Sequence, residues 1–172
     1  GTHPPYNENS SPNPICYYGQ TKYEGEKVVK DSAMIVRISY PFRKQYDKRT
    51  YFFRTIKSLL GQGKMIAGIT DAVITPTYID DIAYGLKHLM NNYKPEVYHL
   101  VGQGSLTPYD AFQEIAQVFK LKNDLITKIT LNEYFVGKAK RPQQGRTTSV
   151  KNTFQKMKSF KEALIEISAS IK

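Results

Sequence analysis

Residues 34–40 read Met-Ile-Val-Arg-Ile-Ser-Tyr, a short run rich in β-branched residues that ends at Pro41. A continuous apolar run of this length predicts a strand of a parallel sheet, buried on both faces. The preceding residues, from Cys16 to about Asp31, are predicted to form a helix. We therefore expect a protein of the α/β class.

Further helices and strands are predicted to follow along the chain. Strands are expected at 65–69, 96–101 and 125–131, and helices at 51–60, from about Asp80 to Asn92, at 108–120, at 150–158 and at 160–171. Thr107 and Pro108 have the residue types that begin a helix. The pairs Gly61/Gly63 and Gly102/Gly104 lack a third glycine at the spacing of a dinucleotide-binding turn. We expect ordinary turns at both places.

The predicted first helix contains Tyr18 and Lys22, four residues apart. Residues at this spacing lie on one helix face, so the phenol and the ammonium can act at one site. A neighbouring cation lowers the pKa of a phenol, which starts at about 10. Such a tyrosine can donate or accept a proton near neutral pH. The spacing alone, however, is common and fits an ordinary surface pair better.

The surrounding residues favour the functional interpretation. The chain reads Asn13-Pro14-Ile15-Cys16-Tyr17-Tyr18-Gly19-Gln20-Thr21-Lys22, followed by Gly25-Glu26, after Tyr6-Asn7-Glu8. This order resembles the extended short-chain dehydrogenase/reductases, and within them the dTDP-4-dehydrorhamnose reductase group, whose pattern is N-P-x-x-x-Y-G-x-T-K-x-x-G-E. The resemblance implies that Tyr18 and Lys22 are the catalytic pair and that both contact the cofactor.

Three later segments extend the resemblance. Arg37, Ser39 and Tyr40 match an L-R-x-S-W-like segment, which implies a cofactor contact for Arg37 and substrate contacts for Ser39 and Tyr40. Tyr40, where the family usually has Trp, could stack on a ring of the substrate or equally be a core residue. The second segment, residues 71–83, resembles the family pattern D-Q-x-G-x-P-T-Y-x-x-D-L-A. Ala72 and Ile74 replace the usual Gln and Gly. The matching residues are Asp71, Pro76, Thr77, Tyr78, Asp81 and Ala83. We expect Asp80 and Asp81 to complement the helix dipole.

The third segment resembles the R-P-x-x-S-x-L-D-x-x-K run that closes over the substrate in the family. Arg141, Pro142 and Lys151 match, whereas Gly145, Thr147 and Thr148 differ from the pattern. A guanidinium binds phosphate through paired N–H donors, so Arg141 or Arg146 could contact a diphosphate. Either could equally be a solvated loop residue.

The family resemblance implies an architecture in two parts. Residues 1–41 would be the end of a Rossmann-type NAD(P)-binding fold, and residues 42–172 would mainly form the small substrate-binding domain. In the family, a dinucleotide-binding half with a glycine-rich turn precedes the tyrosine helix. No such turn occurs in this sequence, so we expect the carboxy-terminal portion of a longer enzyme, inactive as an isolated chain.

The resemblance also implies a function. It is the reduction of a nucleotide-activated 4-keto-6-deoxy sugar with NADPH or NADH, as in dTDP-rhamnose biosynthesis, with Tyr18 as proton donor. Two alternatives stay open: a nucleotide-sugar epimerase or dehydratase that uses the same pair, and a non-catalytic binding or regulatory subunit on the same fold. The expected partner is a nucleotide-diphosphate sugar, and a homodimer is left open.

The charge of the chain bears on its partners. The net charge is +10, and residues 120–172 hold 12 Lys and Arg against 4 Asp and Glu. This basic third is either a solvated face or a face that attracts an anionic diphosphate, and it lacks a recognisable nucleic-acid motif. One cysteine and three histidines argue against a disulfide framework or a zinc site. No apolar run has the roughly 20 residues of a membrane span, and no signal peptide is recognisable, so we expect a cytoplasmic protein.

Overall fold

Six α-helices and six short strands follow one another in the residues that the computed structural model describes, which are 4–44, 52–137 and 145–170. The helices are α1 (Tyr17–Val29), α2 (Phe52–Gly61), α3 (Ile79–Asn91), α4 (Pro108–Val118), α5 (Leu131–Tyr134) and α6 (Phe160–Ala169). The strands are β1 (Ile35–Ile38), β2 (Pro41–Phe42), β3 (Ile66–Ile69), β4 (Thr77–Tyr78), β5 (Val97–Leu100) and β6 (Ile126–Ile129).

The described strands form three parallel pairs. In the first, β1 pairs with β5, and Ile35 lies opposite Val97. The second joins β2 to β4, and the third joins β3 to β6. Each pair is reached through a connection that contains a helix, as parallel pairing requires. The predicted α/β class is therefore confirmed.

The prediction that the strand at residues 34–40 is buried was wrong. The structure forms β1 there, parallel as expected, but its first three residues are only half-buried and Ile38 is 49% exposed. Among the described residues, β1 has one neighbouring strand, β5. The apolar sequence predicted the strand, but not how much of it is covered.

The main core lies between α2, α4 and α6. Phe42, Phe53, Ile115 and Leu164 are almost fully buried, and Phe42 packs edge-on against Phe160 with ring centroids 5.0 Å apart. Apolar residues at helical spacing on each helix supply this core. The predicted buried stripe of α6 is confirmed for Leu164 and Ile167, while Ile171 lies outside the described residues.

The predicted helix at residues 150–158 is not formed. Side chains take over the backbone donors there: Ser149 Oγ accepts from the Asn152 N–H at 3.0 Å, and Asn152 Oδ1 accepts from the Gln155 N–H at 3.2 Å. Such local bonds compete with helical ones. The segment ends where the Lys158 N–H donates to Asp81 Oδ2 at 2.7 Å. The periodic apolar pattern was therefore misleading.

Two predictions about local structure are confirmed. Thr107 begins α4, since its hydroxyl accepts from the Asp110 N–H at 3.1 Å. Both glycine pairs lie in turns, where Gly63 and Gly104 have φ of 71° and 82°. Position 102 requires glycine, because a Cβ there would lie 2.0 Å from the Pro76 carbonyl oxygen. No helix in the described part of the chain combines the length and apolar character of a membrane span.

Candidate active site

The helix that carries the predicted catalytic pair begins at a thiol cap. Cys16 has an extended backbone, and its Sγ accepts from the Gly19 N–H at 3.4 Å. Gly19 lets the preceding loop lie close to α1, because a Cβ there would be 3.2 Å from Pro14 Cβ. These contacts between the loop at 4–16 and the first turn of α1 therefore fix the position of Tyr18.

Tyr18 and Lys22 lie one helical turn apart and interact. The Lys22 Nζ is 5.5 Å from the centroid of the Tyr18 ring, within the range of a cation–π contact. The Tyr18 side chain is 70% exposed, and Lys22 is exposed as well. The pair is thus formed as the spacing predicts, with both polar groups accessible to a ligand.

Tyr18 lines the larger of two clefts, which has a volume of 880 Å³. Most of this cleft is aromatic or aliphatic, and it includes Tyr40, the two residues that depart from the family pattern, Ala72 and Ile74, and Tyr134 of α5. None of the described lining residues is Lys or Arg. The positive charge of the carboxy-terminal third therefore does not line the described part of this cleft.

Tyr40 has an unusual backbone conformation at the edge of this cleft. Its φ is 43°, a region that bulky residues rarely occupy. The conformation is held by a bond from the Thr77 N–H to the Tyr40 carbonyl at 3.1 Å and by an edge-on contact with Phe52, whose ring centroid is 5.3 Å away. Strained residues of this kind cluster at ligand sites. The backbone conformation of Tyr40 is therefore a physical reason to consider this residue functional.

Lys22 lines the second, smaller cleft, which has a volume of 330 Å³. Most of its lining residues have polar side chains, and they include Ser39, Asn13, Glu26, Arg37 and His99. The predicted catalytic pair therefore lies between a mainly aromatic and aliphatic cleft on the Tyr18 side and a cleft with mostly polar lining residues on the Lys22 side.

Arg37 is already engaged within the protein. Its Nε donates to Glu26 Oε1 at 2.8 Å, and its Nη2 donates to Glu26 Oε2 at 2.5 Å. The Glu26 carboxylate raises the pKa of the guanidinium above its ordinary value. The third contact is with His99 Nε2, 3.5 Å from Arg37 Nη1. Arg37, predicted to contact the cofactor, has its hydrogen-bonding fork directed at α1.

The sequence did not assign two further residues of this network, His99 and Glu8, to the site. His99 is 3% exposed and its Nδ1 donates to the Thr148 carbonyl at 2.9 Å; burial lowers the pKa of the imidazole. Glu8 accepts from the His99 N–H at 3.0 Å and from Ser149 Oγ at 2.5 Å. The only available signal for Glu8 was its place in the matched run that contains Tyr18.

The remaining predicted residues are dispersed. Ser39 lines the smaller cleft, whereas Arg146 is exposed and lines neither cleft. Arg141 and Pro142 lie outside the described residues. Asp81 is buried and paired with Lys158, so its role exceeds the helix-dipole role predicted for it. In the described residues, no cluster of His, Cys, Asp and Glu could hold a metal ion.

Comparison with known sequences gives a consistent group. The family described as "RmlD substrate binding domain" matches residues 1–172. The chain is 29% identical to the probable low-salt glycan biosynthesis reductase Agl14 of Haloferax volcanii, over 66% of the chain and 39% of that protein. It is 28% identical to the dTDP-4-dehydrorhamnose reductase of Aggregatibacter actinomycetemcomitans, over 75% and 48%. It is 29% identical to methionine adenosyltransferase 2 subunit beta of Xenopus tropicalis, over 76% and 42%.

Two solved structures share the fold. The dTDP-4-dehydrorhamnose reductase of Bacillus anthracis, in complex with NADP, has a TM-score of 0.81 at 24% identity and covers 96% of this chain and 59% of that one. The dTDP-glucose 4,6-dehydratase of the same organism, in complex with NAD, has a TM-score of 0.74 at 16% identity, over 98% and 56%. The chain spans less than half the length of the curated relatives described above.

Proposed function

Because the chain belongs to the RmlD substrate-binding-domain family, we propose that it is part of an NAD(P)H-dependent reductase of a nucleotide-activated 4-keto-6-deoxy sugar. The activity belongs to a longer protein, in which a dinucleotide-binding half like that of the resembled enzymes joins this chain. Residues 1–41 complete that half, and residues 42–172 mainly form the substrate-binding part.

The observation that carries the proposal is the Tyr18–Lys22 pair. Both side chains are exposed, they lie within 5.5 Å of each other, and they occur in the ordered run from Asn13 to Glu26. An ordinary surface pair would not need the two adjoining clefts that these residues line. A phenol and an ammonium in this arrangement suit proton donation to an oxygen that gains negative charge.

Each residue of the pair has one role. Tyr18 donates its hydroxyl proton to the former keto oxygen of the sugar, and Lys22 stabilises the negative charge left on the phenol oxygen. Lys22 also donates hydrogen bonds to ribose hydroxyls of the cofactor. A nicotinamide cofactor supplies the hydride when bound. The smaller cleft fits only a part of such a molecule: it offers the Lys22 ammonium together with the hydroxyl of Ser39 and the amide of Asn13.

The substrate occupies the larger cleft on the Tyr18 side. Its aromatic lining suits the flat face of a ring, and Tyr40 stacks on the substrate there. The described lining has no cation for a diphosphate, so Arg141 or Arg146, from the segment that carries the family's R-P pattern, supplies the phosphate contact. Ser39 lines the smaller cleft, so we assign its hydroxyl to the cofactor and not to the substrate contact that the resemblance implies.

The test uses the longer protein with NADPH or NADH and a dTDP-4-keto-6-deoxy sugar. We expect consumption of the reduced cofactor and one equivalent of the 4-hydroxy sugar, identified by mass spectrometry and NMR. Conversion of a 4-hydroxy nucleotide sugar into its 4-epimer without net consumption of cofactor would identify an epimerase instead. Water loss from a hexose substrate would identify a dehydratase.

A non-catalytic regulatory subunit is the second candidate, favoured by the likeness to methionine adenosyltransferase 2 subunit beta. The same assay separates the two candidates. A protein that binds NADPH but turns over no keto sugar, and that associates with a methionine adenosyltransferase, would support the regulatory role. Turnover that depends on Tyr18 supports the reductase.

A further inference from the structure

Helix α1 is exposed on this chain, which spans less than half the length of the curated relatives described above. None of its 13 residues is buried, and Tyr17, Tyr18 and Val28 are largely exposed. Most helices in proteins are stabilised by packing an apolar face against a core. Within this chain, the polar contacts of α1 therefore bear on its orientation, and with it on the position of Tyr18 and Lys22.

One such contact joins α1 to β1. Glu26 follows Lys22 by four residues and therefore lies on the same helix face. Its carboxylate receives both arms of the Arg37 fork, at 2.8 and 2.5 Å, and the two side chains are 22% and 27% exposed. Two-point pairs between a guanidinium and a carboxylate are stronger and more directional than single contacts. Exposed pairs contribute little, but this one is largely shielded from water.

Arg37, the β1 residue of this pair, is also held by contacts with β5. Arg37 Nη1 lies 3.5 Å from the buried ring of His99 on β5, and His99 is held by the Thr148 carbonyl on one side of its ring. The backbone N–H of His99 donates to Glu8, which also binds Ser149. The guanidinium can therefore move little, so its pairing with Glu26 holds α1 at a fixed position relative to the strands.

We propose that Glu26 and Arg37 are positioning residues that hold the Tyr18–Lys22 helix against β1 at the orientation needed for proton donation. This role rests on the proposed reductase function. Arg37 then acts on the reaction through α1, and not through direct contact with the cofactor. A displacement of about 1 Å at a reacting group can cost on the order of a hundredfold in rate.

The first test measures the attachment of α1 in the 172-residue chain by amide hydrogen exchange. Glu26→Gln should reduce the protection of the α1 amides by about tenfold or more and leave α4 unchanged. Glu24→Gln is the matched control, because Glu24 lies on the same helix in an exposed pair with Lys27. Equal α1 protection in the two variants would overturn the proposal.

A charge-swapped variant, Glu26→Arg with Arg37→Glu, covers the case in which Glu26→Gln unfolds the whole chain. A folded swap with a protected α1 supports the pairing role. A swap that unfolds like the single variant would overturn it, because the pair would then not be interchangeable as a connection between helix and strand.

The second test uses keto-sugar reduction by the longer protein. Glu26→Gln should lower kcat by about tenfold to a hundredfold while KM for the sugar changes little, and Glu24→Gln should leave both unchanged. An unchanged kcat in Glu26→Gln would overturn the positioning role. No turnover in the unsubstituted protein would instead overturn the proposed function, and hydrogen exchange would still decide whether the pair holds α1.

Discussion

The ammonium nitrogen of Lys22 lies 5.5 Å from the centroid of the Tyr18 ring, and each residue lines a different cleft. The Tyr18 phenol therefore adjoins an aromatic cleft, and the Lys22 ammonium adjoins a cleft with mostly polar lining residues. A reductase needs such a division, because the sugar and the nicotinamide ribose must reach the same phenol from two directions. The sequence spacing predicted the pair, and the structure adds the two clefts.

The 172-residue chain alone should not bind NADPH. Neither of its glycine pairs forms a phosphate-binding turn: Gly63 follows the end of α2, and Gly102 packs beneath the Pro76 carbonyl. Titration of the chain with NADPH, followed by fluorescence or calorimetry, should show no saturation at micromolar concentrations. Micromolar binding by the chain would contradict the proposed division of labour with a dinucleotide-binding half.

Lys158→Met should destabilise the fold by about 3 kcal/mol, because it leaves the buried carboxylate of Asp81 without its cation. Lys158 Nζ is 2.7 Å from Asp81 Oδ1, and the Asp81 side chain is 3% exposed. Urea unfolding at pH 7 measures the difference.

Lys156→Met is the control for this prediction, since Lys156 pairs with Glu162 at 3.5 Å where both side chains are exposed. We expect a change of about 0–1 kcal/mol there. Equal effects of the two substitutions would show that the Asp81 pair has no special importance for the segment at 150–158.

Glu8→Gln should destabilise the protein more at neutral pH than in acid. Burial opposes ionisation of Glu8, but hydrogen bonds from Ser149, Val150 and His99 outweigh it and lower the pKa of the carboxyl below its ordinary 4.5. A lowered folded-state pKa contributes stability above the unfolded value, and that stability is lost as the pH falls through the folded value. The gap should be about 1–2 kcal/mol at pH 7.

Urea unfolding of the unsubstituted protein and of Glu8→Gln between pH 7 and pH 3 measures this difference in the free energy of unfolding. It should narrow steadily below about pH 4.5. Glu24→Gln is the control, because it also removes one negative charge but at an exposed position of α1. A gap that stays constant or widens in acid would show that the Glu8 hydrogen bonds do not favour the ionised carboxylate.

The sequence predicted elements better than it predicted connections between them. Thr107 and the apolar stripe of α6 specify local structure, and both predictions were confirmed. The false helix at 150–158 shows the limit, because Ser149 and Asn152 offer the backbone local partners that a periodic apolar pattern does not register.

The site shows the same division. Tyr18 and Lys22 are four residues apart, and they were predicted as a functional pair from the motif that surrounds them. The contacts of Glu8 with His99 and Ser149 span 91 and 141 residues of sequence, so no local pattern could reveal them. Nor could it reveal that Arg37 faces Glu26, because only the arrangement of α1 and β1 in the folded chain decides where that fork points.

Replacement of Tyr18 by Phe in the longer protein is the most direct test of the reductase proposal. The ring is 70% exposed, so the lost hydroxyl should leave the unfolding temperature almost unchanged. Single-turnover reduction of the keto sugar should slow by about a hundredfold to ten-thousandfold, because the proton donor is gone. Tyr84→Phe, at a similarly exposed tyrosine of α3 that lines neither cleft, should react at the original rate. Reduction by Tyr18→Phe at the unsubstituted rate would contradict the assignment of Tyr18 as the proton donor.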